Sequence, residues 1–287
     1  MRPVSIIGCG YTGLRLAQRW RARGAAVRGY ATRESSLAAI AASGATPCRL
    51  DLDRDAGAID ADGIVYYCAP PGVATPGDAR LERFLGCLTA VPARLVYLST
   101  TGVYGDHGGA DVDEDTPVSP RSARAARRVA AEDALRAWAA ARRASWCILR
   151  VAGIYGPGRL PLERLRAAQP VIRAAEAGPG NRIHVDDLVE ACVAAGESPQ
   201  AHQRIYNVCD GTHDSQTDYL LRVARLAGLP APPQLPRAEA ERVLPESVWS
   251  FLGESRRVGN RRLVGELGVQ LRYTDLERGI SASLAAP

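Results

Sequence analysis

Ile6-Ile7-Gly8-Cys9-Gly10-Tyr11-Thr12-Gly13 sets a G-x-G-x-x-G between an apolar stretch and a helical one, and that placement decides the fold. Val4 to Ile7 read as a buried parallel strand, while Leu14, Leu16, Ala17 and Trp20 recur at the spacing of one helix face. Each glycine then has a mechanical task. Gly8 makes the tight turn, Gly10 lets a pyrophosphate approach the backbone, and Gly13 lets the helix pack on the strand. The pyrophosphate would rest on the N–H groups of the first helical turn. The bland alternative, an ordinary glycine turn, is disfavoured by the strand and helix on either side.

Outward from this turn the chain alternates. Ala26 to Ala31, Thr46 to Leu52, Gly63 to Ala69, Arg94 to Thr100, Trp146 to Val151 and Arg204 to Cys209 read as strands, and the Ala/Arg-rich segment Ser122 to Arg143 as a long helix. The pattern predicts an α/β fold: a Rossmann-type doubly wound parallel sheet with a smaller C-terminal substrate lobe. Breakers at Gly156 to Gly158, Gly178 to Gly180 and Pro230 to Pro236 divide the chain. Residues 1–156 and 181–210 form the expected dinucleotide domain, 157–180 and 211–287 the lobe.

Composition narrows the function classes. The chain has 287 residues, 46% hydrophobic, enough for a substantial core. A first strand close to Met1, with no long apolar run, leaves no room for a signal peptide or membrane span and makes the cytoplasm the expected location. Seven cysteines without C-x-x-C spacing read as reduced core thiols; neither disulfides nor a metal site is expected. The net charge of +5 is spread over many helices, which argues against nucleic acid as a partner. All 36 cationic side chains are arginine, so no step can use a lysine ammonium.

Five segments together carry a family resemblance: the glycine turn, Asp51-Leu52-Asp53, Leu98-Ser99-Thr100-Thr101-Gly102-Val103-Tyr104-Gly105, Leu149-Arg150-Val151-Ala152-Gly153-Ile154-Tyr155-Gly156-Pro157-Gly158 and Arg182-Ile183-His184-Val185-Asp186-Asp187-Leu188. In this order they resemble the extended short-chain dehydrogenase/reductases, the epimerase/dehydratase-like group, and within it the atypical YeeZ-type proteins. The resemblance implies that Gly8, Gly10, Tyr11, Thr12, Gly13, Thr32, Arg33, Asp51, Leu52, Ala69 and Pro70 contact a nicotinamide dinucleotide. Ala31 stands where an NAD-preferring site carries an acid, and Arg33 just beyond suits a 2′-phosphate, so NADP is favoured over NAD, with Glu34 keeping NAD open.

The resemblance also exposes a departure. Members with the standard mechanism carry Tyr-x-x-x-Lys on the long helix. Counting back from Glu132, which resembles the family glutamate, puts Arg124 and Arg128 at those two places. No tyrosine lies between Tyr104 and Tyr155 to rescue the pair. Arginine cannot act as a general base near neutrality. Thr100 matches the family's strand-end hydroxyl, and Arg124 and Arg128, four apart on one helix face, would suit an anion, unless they are only part of a solvated face. Tyr104 is a further catalytic candidate, Tyr155 and His184 weaker ones, and Asp186 and Asp187 read as a helix N-cap pair.

Two functions follow. One is an NADP(H)-dependent oxidoreductase or epimerase acting on a small polar, anionic or nucleotide-linked substrate with a non-standard proton relay. The other is a cofactor-binding regulator or sensor without turnover. A homodimer is left open.

Overall fold

A computed structural model describes residues 1–54, 57–72 and 77–286. Its central sheet holds seven parallel strands: β1 (Val4–Ile7), β2 (Val27–Ala31), β3 (Thr46–Arg49), β4 (Ile64–Tyr67), β5 (Arg94–Thr100), β6 (Trp146–Val151) and β7 (Arg204–Val208). The order is β7-β6-β5-β4-β1-β2-β3. The order of strand addition reverses between β1 and β4, where Ile7 pairs with both Tyr30 and Tyr67. Doubly wound sheets open their ligand crevice at such a switch point, beyond the strand C-termini.

The inner strands β1, β4, β5 and β6 are largely apolar on both faces, as a sheet covered by helices on each side demands, while the edge strand β3 is mostly exposed. Alternate residues go to opposite sides. Ile6, Tyr66, Val96 and Leu149 join the cluster beneath α1 (Tyr11–Ala22) and the helix Val185–Glu197. Ile7, Tyr67, Tyr97 and Ile148 join the cluster beneath α3 (Ala79–Cys87) and α4 (Ala123–Arg142). The helix α2 (Glu34–Ala42) covers the β2–β3 edge. Each large side chain buried this way contributes about 1.5–3 kcal/mol.

The third strand ends at Arg49, short of the expected Leu52, because Asp51 accepts from Asp53 N at 3.0 Å and turns the chain. Short parallel pairs escape sequence periodicity altogether: Gly153–Tyr155 with Arg182–His184, Val171–Ile172 with Gln234–Leu235, and Asp111–Val112 with Arg257–Val258. They stitch the loops above the sheet together. Tyr155, Leu165, Val171, Tyr219, Leu220 and Ile280 form a separate core there. The 211–287 stretch is shared, since Leu263, Leu267 and Val269 pack into the sheet's own core.

Candidate functional site

The glycine turn shows why each glycine is needed. Gly8 has φ +79°, and a Cβ there would lie 2.6 Å from Ala69 N, so only glycine lets the turn close against the end of β4. Gly8 N and Cys9 N both donate to Tyr30 O, at 3.1 and 2.9 Å. A Cβ on Gly13 would meet Ile6 Cγ2 at 3.1 Å, the helix-on-strand contact expected of it. Gly10 is the opposite case. Nothing lies within 4 Å of its Cβ position, no side chain caps α1, and the first turn holds no acid. A diphosphate fits this uncapped, open N-terminus. Thr12, in that turn, is buried. Tyr11 instead donates to Pro157 O at 3.0 Å beneath the Arg15 and Arg159 guanidiniums, docking the Gly156–Gly158 loop onto the turn.

At the end of β2, Thr32 and Arg33 are exposed. Arg49, which sequence reasoning missed, donates to Thr32 O at 2.9 Å and pairs with Glu34. Its signal was register: Arg49 is the partner of Ala31. The acid that kept NAD open is therefore already matched by a guanidinium. Asp51 and Leu52 lie on the loop after β3, Ala69 and Pro70 on the loop after β4. Arg80 joins the two loops, with Nε donating to Asp53 at 2.7 Å and Nη1 to Pro70 O at 3.2 Å.

Beside this rim, past the ends of β5 and β6, opens a cavity of about 610 Å³. Its polar lining includes Thr100, Arg124, Arg159, Arg164, Glu254 and Arg256, its apolar lining Val151, Ile154, Val171 and Leu220. Thr100 Oγ1 accepts from Gly102 N at 3.1 Å, which leaves its O–H for a ligand. Glu254 binds Arg256 at 2.8 Å. Burial pushes the Arg124 guanidinium down from its usual range, and the Glu254 carboxylate opposes that shift. Neither Arg256 nor Glu254 stood out in the sequence; two opposite charges two residues apart after Gly253 were the available signal.

Arg124 and Arg128 part company. Arg124 lines the cavity. Arg128 turns to the flank of β5 and donates to Tyr97 Oη at 2.9 Å and Leu98 O at 2.8 Å. Burial pushes the Cys68 thiol and the Asp78 carboxyl up, and the Arg128 charge opposes both shifts.

Tyr104 is not brought to the cavity. It is fully buried, donating to Asn207 Oδ1 at 2.8 Å and accepting from Arg150 at 3.0 Å. Arg150 forks onto Glu132 at 2.8 and 3.2 Å, and Glu132 accepts from Ser99 Oγ at 2.5 Å. Glu132 holds the Arg150 guanidinium above its usual range despite burial. This network fixes the loop after β5 and turns the Tyr104 hydroxyl to Asn207 and Arg150. Tyr155 is likewise a core residue. His184, buried, accepts from Asp186 N at 3.2 Å and caps its own helix, so Asp187 is free to accept from Arg272 N and Tyr273 N at 2.9 and 3.0 Å. Burial holds the His184 imidazole below its usual range.

Among the described residues no cluster could hold a metal, and no helix is long and apolar enough to cross a membrane. All seven cysteines are free.

An open glycine turn at the switch point and a strand-end hydroxyl facing a cavity define a nicotinamide-dinucleotide fold, and the comparisons name the group. Residues 81–209 match the NAD dependent epimerase/dehydratase family, and the chain belongs to that family. Protein YeeZ of Escherichia coli (strain K12) is 31% identical over 292 residues, 96% of this chain and 97% of YeeZ. A protein of Streptomyces sp described as 3-diazoavenalumate denitrifying reductase is 32% identical over 205 residues, 68% of this chain and 65% of that one. The solved structure of MoeE5 in complex with UDP-glucose and NAD shares the fold at TM-score 0.74 and 22% identity, covering 98% of this chain and 97% of that one.

Proposed function

We propose that this chain is an NADP(H)-dependent oxidoreductase or epimerase whose substrate, small and polar or nucleotide-linked, carries an anionic group into the cavity. The observation that carries it is the pairing of an open, uncapped glycine turn with a cavity reached by Thr100 and Arg124. The coenzyme supplies or accepts the hydride. Around it, Gly8, Gly10 and Gly13 shape the diphosphate seat, Arg33 and Arg49 offer guanidiniums to a 2′-phosphate, and Arg128 takes the ribose side left without a lysine. Thr100 donates to the reacting oxygen of the substrate, and Arg124 neutralises its charge.

Because Arg124 cannot move a proton near neutrality, the site suits hydride transfers that do not require one at that position. The Streptomyces relative is named as a denitrifying reductase. A nucleotide sugar, as in the MoeE5 complex, is the alternative substrate. The sensor reading is favoured by the same substitution.

The test is to offer cell-extract metabolites to the NADPH-loaded protein and follow loss of reduced-nicotinamide absorbance. Turnover that falls at least about tenfold in Thr100→Val supports the enzyme. A metabolite that binds but never oxidises the coenzyme supports the sensor.

A further inference from the structure

The guanidiniums lining the cavity differ in how their charge is answered. Arg256 has Glu254 and Gly105 O, and Arg159 lies over the Tyr11 ring at 5.1 Å. Arg164 is the outlier. Among the described residues its single hydrogen bond is a long one, Nη2 to Pro170 O at 3.3 Å, and no carboxylate pairs with it; its Nε, like that of the carboxylate-paired Arg256, is buried with no partner. The surroundings are apolar: Leu165, Val171, Ile172 and Leu220 are all buried. Burial alone pushes its guanidinium down.

Arg164 is half-buried; even partial burial of such a cation is costly, and arginine cannot shed its proton near neutral pH. A planar fork with spare donors, in a low-dielectric wall, matches a two-oxygen anion. Arg164 sits on the short helix Leu162–Arg166, in the wall of the cavity not made by the strand ends. We propose that Arg164 anchors an anion subsite at this wall, taking a carboxylate or phosphate that the substrate carries away from its reacting end. This deepens the reading of the cavity as a substrate chamber and rests on it. The substrate then has two polar ends, one at Thr100 and Arg124 and one at Arg164, with an apolar middle against Val171 and Leu220.

Isothermal titration of the whole protein, with and without NADP, uses inorganic phosphate and glutarate as probes. Saturable binding of one of them is expected, at least about tenfold weaker in Arg164→Met and intermediate in Arg164→Lys, which keeps the charge but loses the fork. Phosphate binding without glutarate points to a phosphate ester, the reverse to a carboxylate. NADPH affinity, measured separately by fluorescence, stays within about twofold in both variants. No saturable binding of either probe overturns the proposal. So does wild-type affinity in Arg164→Met, an equal loss of NADPH and anion, or a loss confined to Arg124→Gln. A wild-type protein that binds the anion but not NADPH would instead remove the coenzyme reading and leave the anion site standing.

Discussion

Two groups of charged side chains meet the ends of β5 and β6, and they are built on opposite terms. Glu132, Arg150, Ser99, Tyr104 and Asn207 are buried and joined in one hydrogen-bonded chain, which reaches the cavity wall only at Ser99. Arg124, Arg164, Glu254 and Arg256 line the cavity. In the first group each charge is answered within the chain, the neutral Asn207 Nδ2 alone lacking a partner among the described residues, and the group is architecture. The second leaves guanidinium nitrogens of Arg164 and Arg256 unanswered. Where a charge is answered thus separates support from function better than residue type does, since both groups use the same arginine and glutamate.

The largest expected effect breaks the first group. Glu132→Ala strands the Arg150 guanidinium in the core and should cost about 3–5 kcal/mol of unfolding free energy by denaturant titration. Replacing both members by apolar residues of similar volume should cost clearly less, because the uncompensated charge is gone. If single and double variants are equally unstable, the network is held by packing and not by charge.

Next is the glycine turn. Gly10→Val should lower NADPH affinity at least about a hundredfold, or about 2.7 kcal/mol, with the melting temperature nearly unchanged, because its Cβ meets no protein atom. Fluorescence titration decides it, and retained affinity in a folded variant would falsify the coenzyme seat. Arg33→Ala should follow with a loss of about 1.5–3 kcal/mol for NADPH and little for NADH. Equal losses for the two coenzymes would mean that Arg33 does not meet a 2′-phosphate.

The same contrast explains what the sequence could and could not carry. The glycine turn was legible because its constraints are local: a positive φ at Gly8, a tight contact at Gly13, an open face at Gly10. The strands were legible from apolar runs, and Thr100 from its place at a strand end. Arg124 and Arg128 were legible as a pair but not as a divergence. Four residues turn a helix by only about 40° yet advance about 6 Å along it, enough to carry one side chain past the end of β5 while the other stays on its flank. Tyr104 misled because a motif loop at a strand end looks the same whether its hydroxyl faces ligand or, as here, Asn207 and Arg150. Arg164 comes from a five-residue helix and Glu254 and Arg256 from a loop, and their meeting depends on two-residue strand pairings with no periodic signal.

The smallest expected effect tests the rule itself. Asp210 is a buried charge only half answered: Oδ1 accepts from Thr212 N and Oγ1 at 2.9 and 3.0 Å, while Oδ2 has no partner. It is not among the residues lining the cavity. Burial pushes its carboxyl up to about 6, against the opposing pull of Arg182. A carboxyl can meet such a deficit by taking a proton, an escape closed to Arg164. The sign follows from the raised pKa: between the unfolded value near 4 and the folded value near 6 the native state holds the extra proton, so this group's contribution to stability falls as pH rises through that window. Asp210→Asn, which cannot ionise, should therefore gain at least about 1 kcal/mol on the wild type at pH 7.5 relative to pH 4 in paired denaturant titrations. A difference independent of pH would mean that Asp210 stays ionised in the fold, and its bare oxygen would then call for a ligand as Arg164 does.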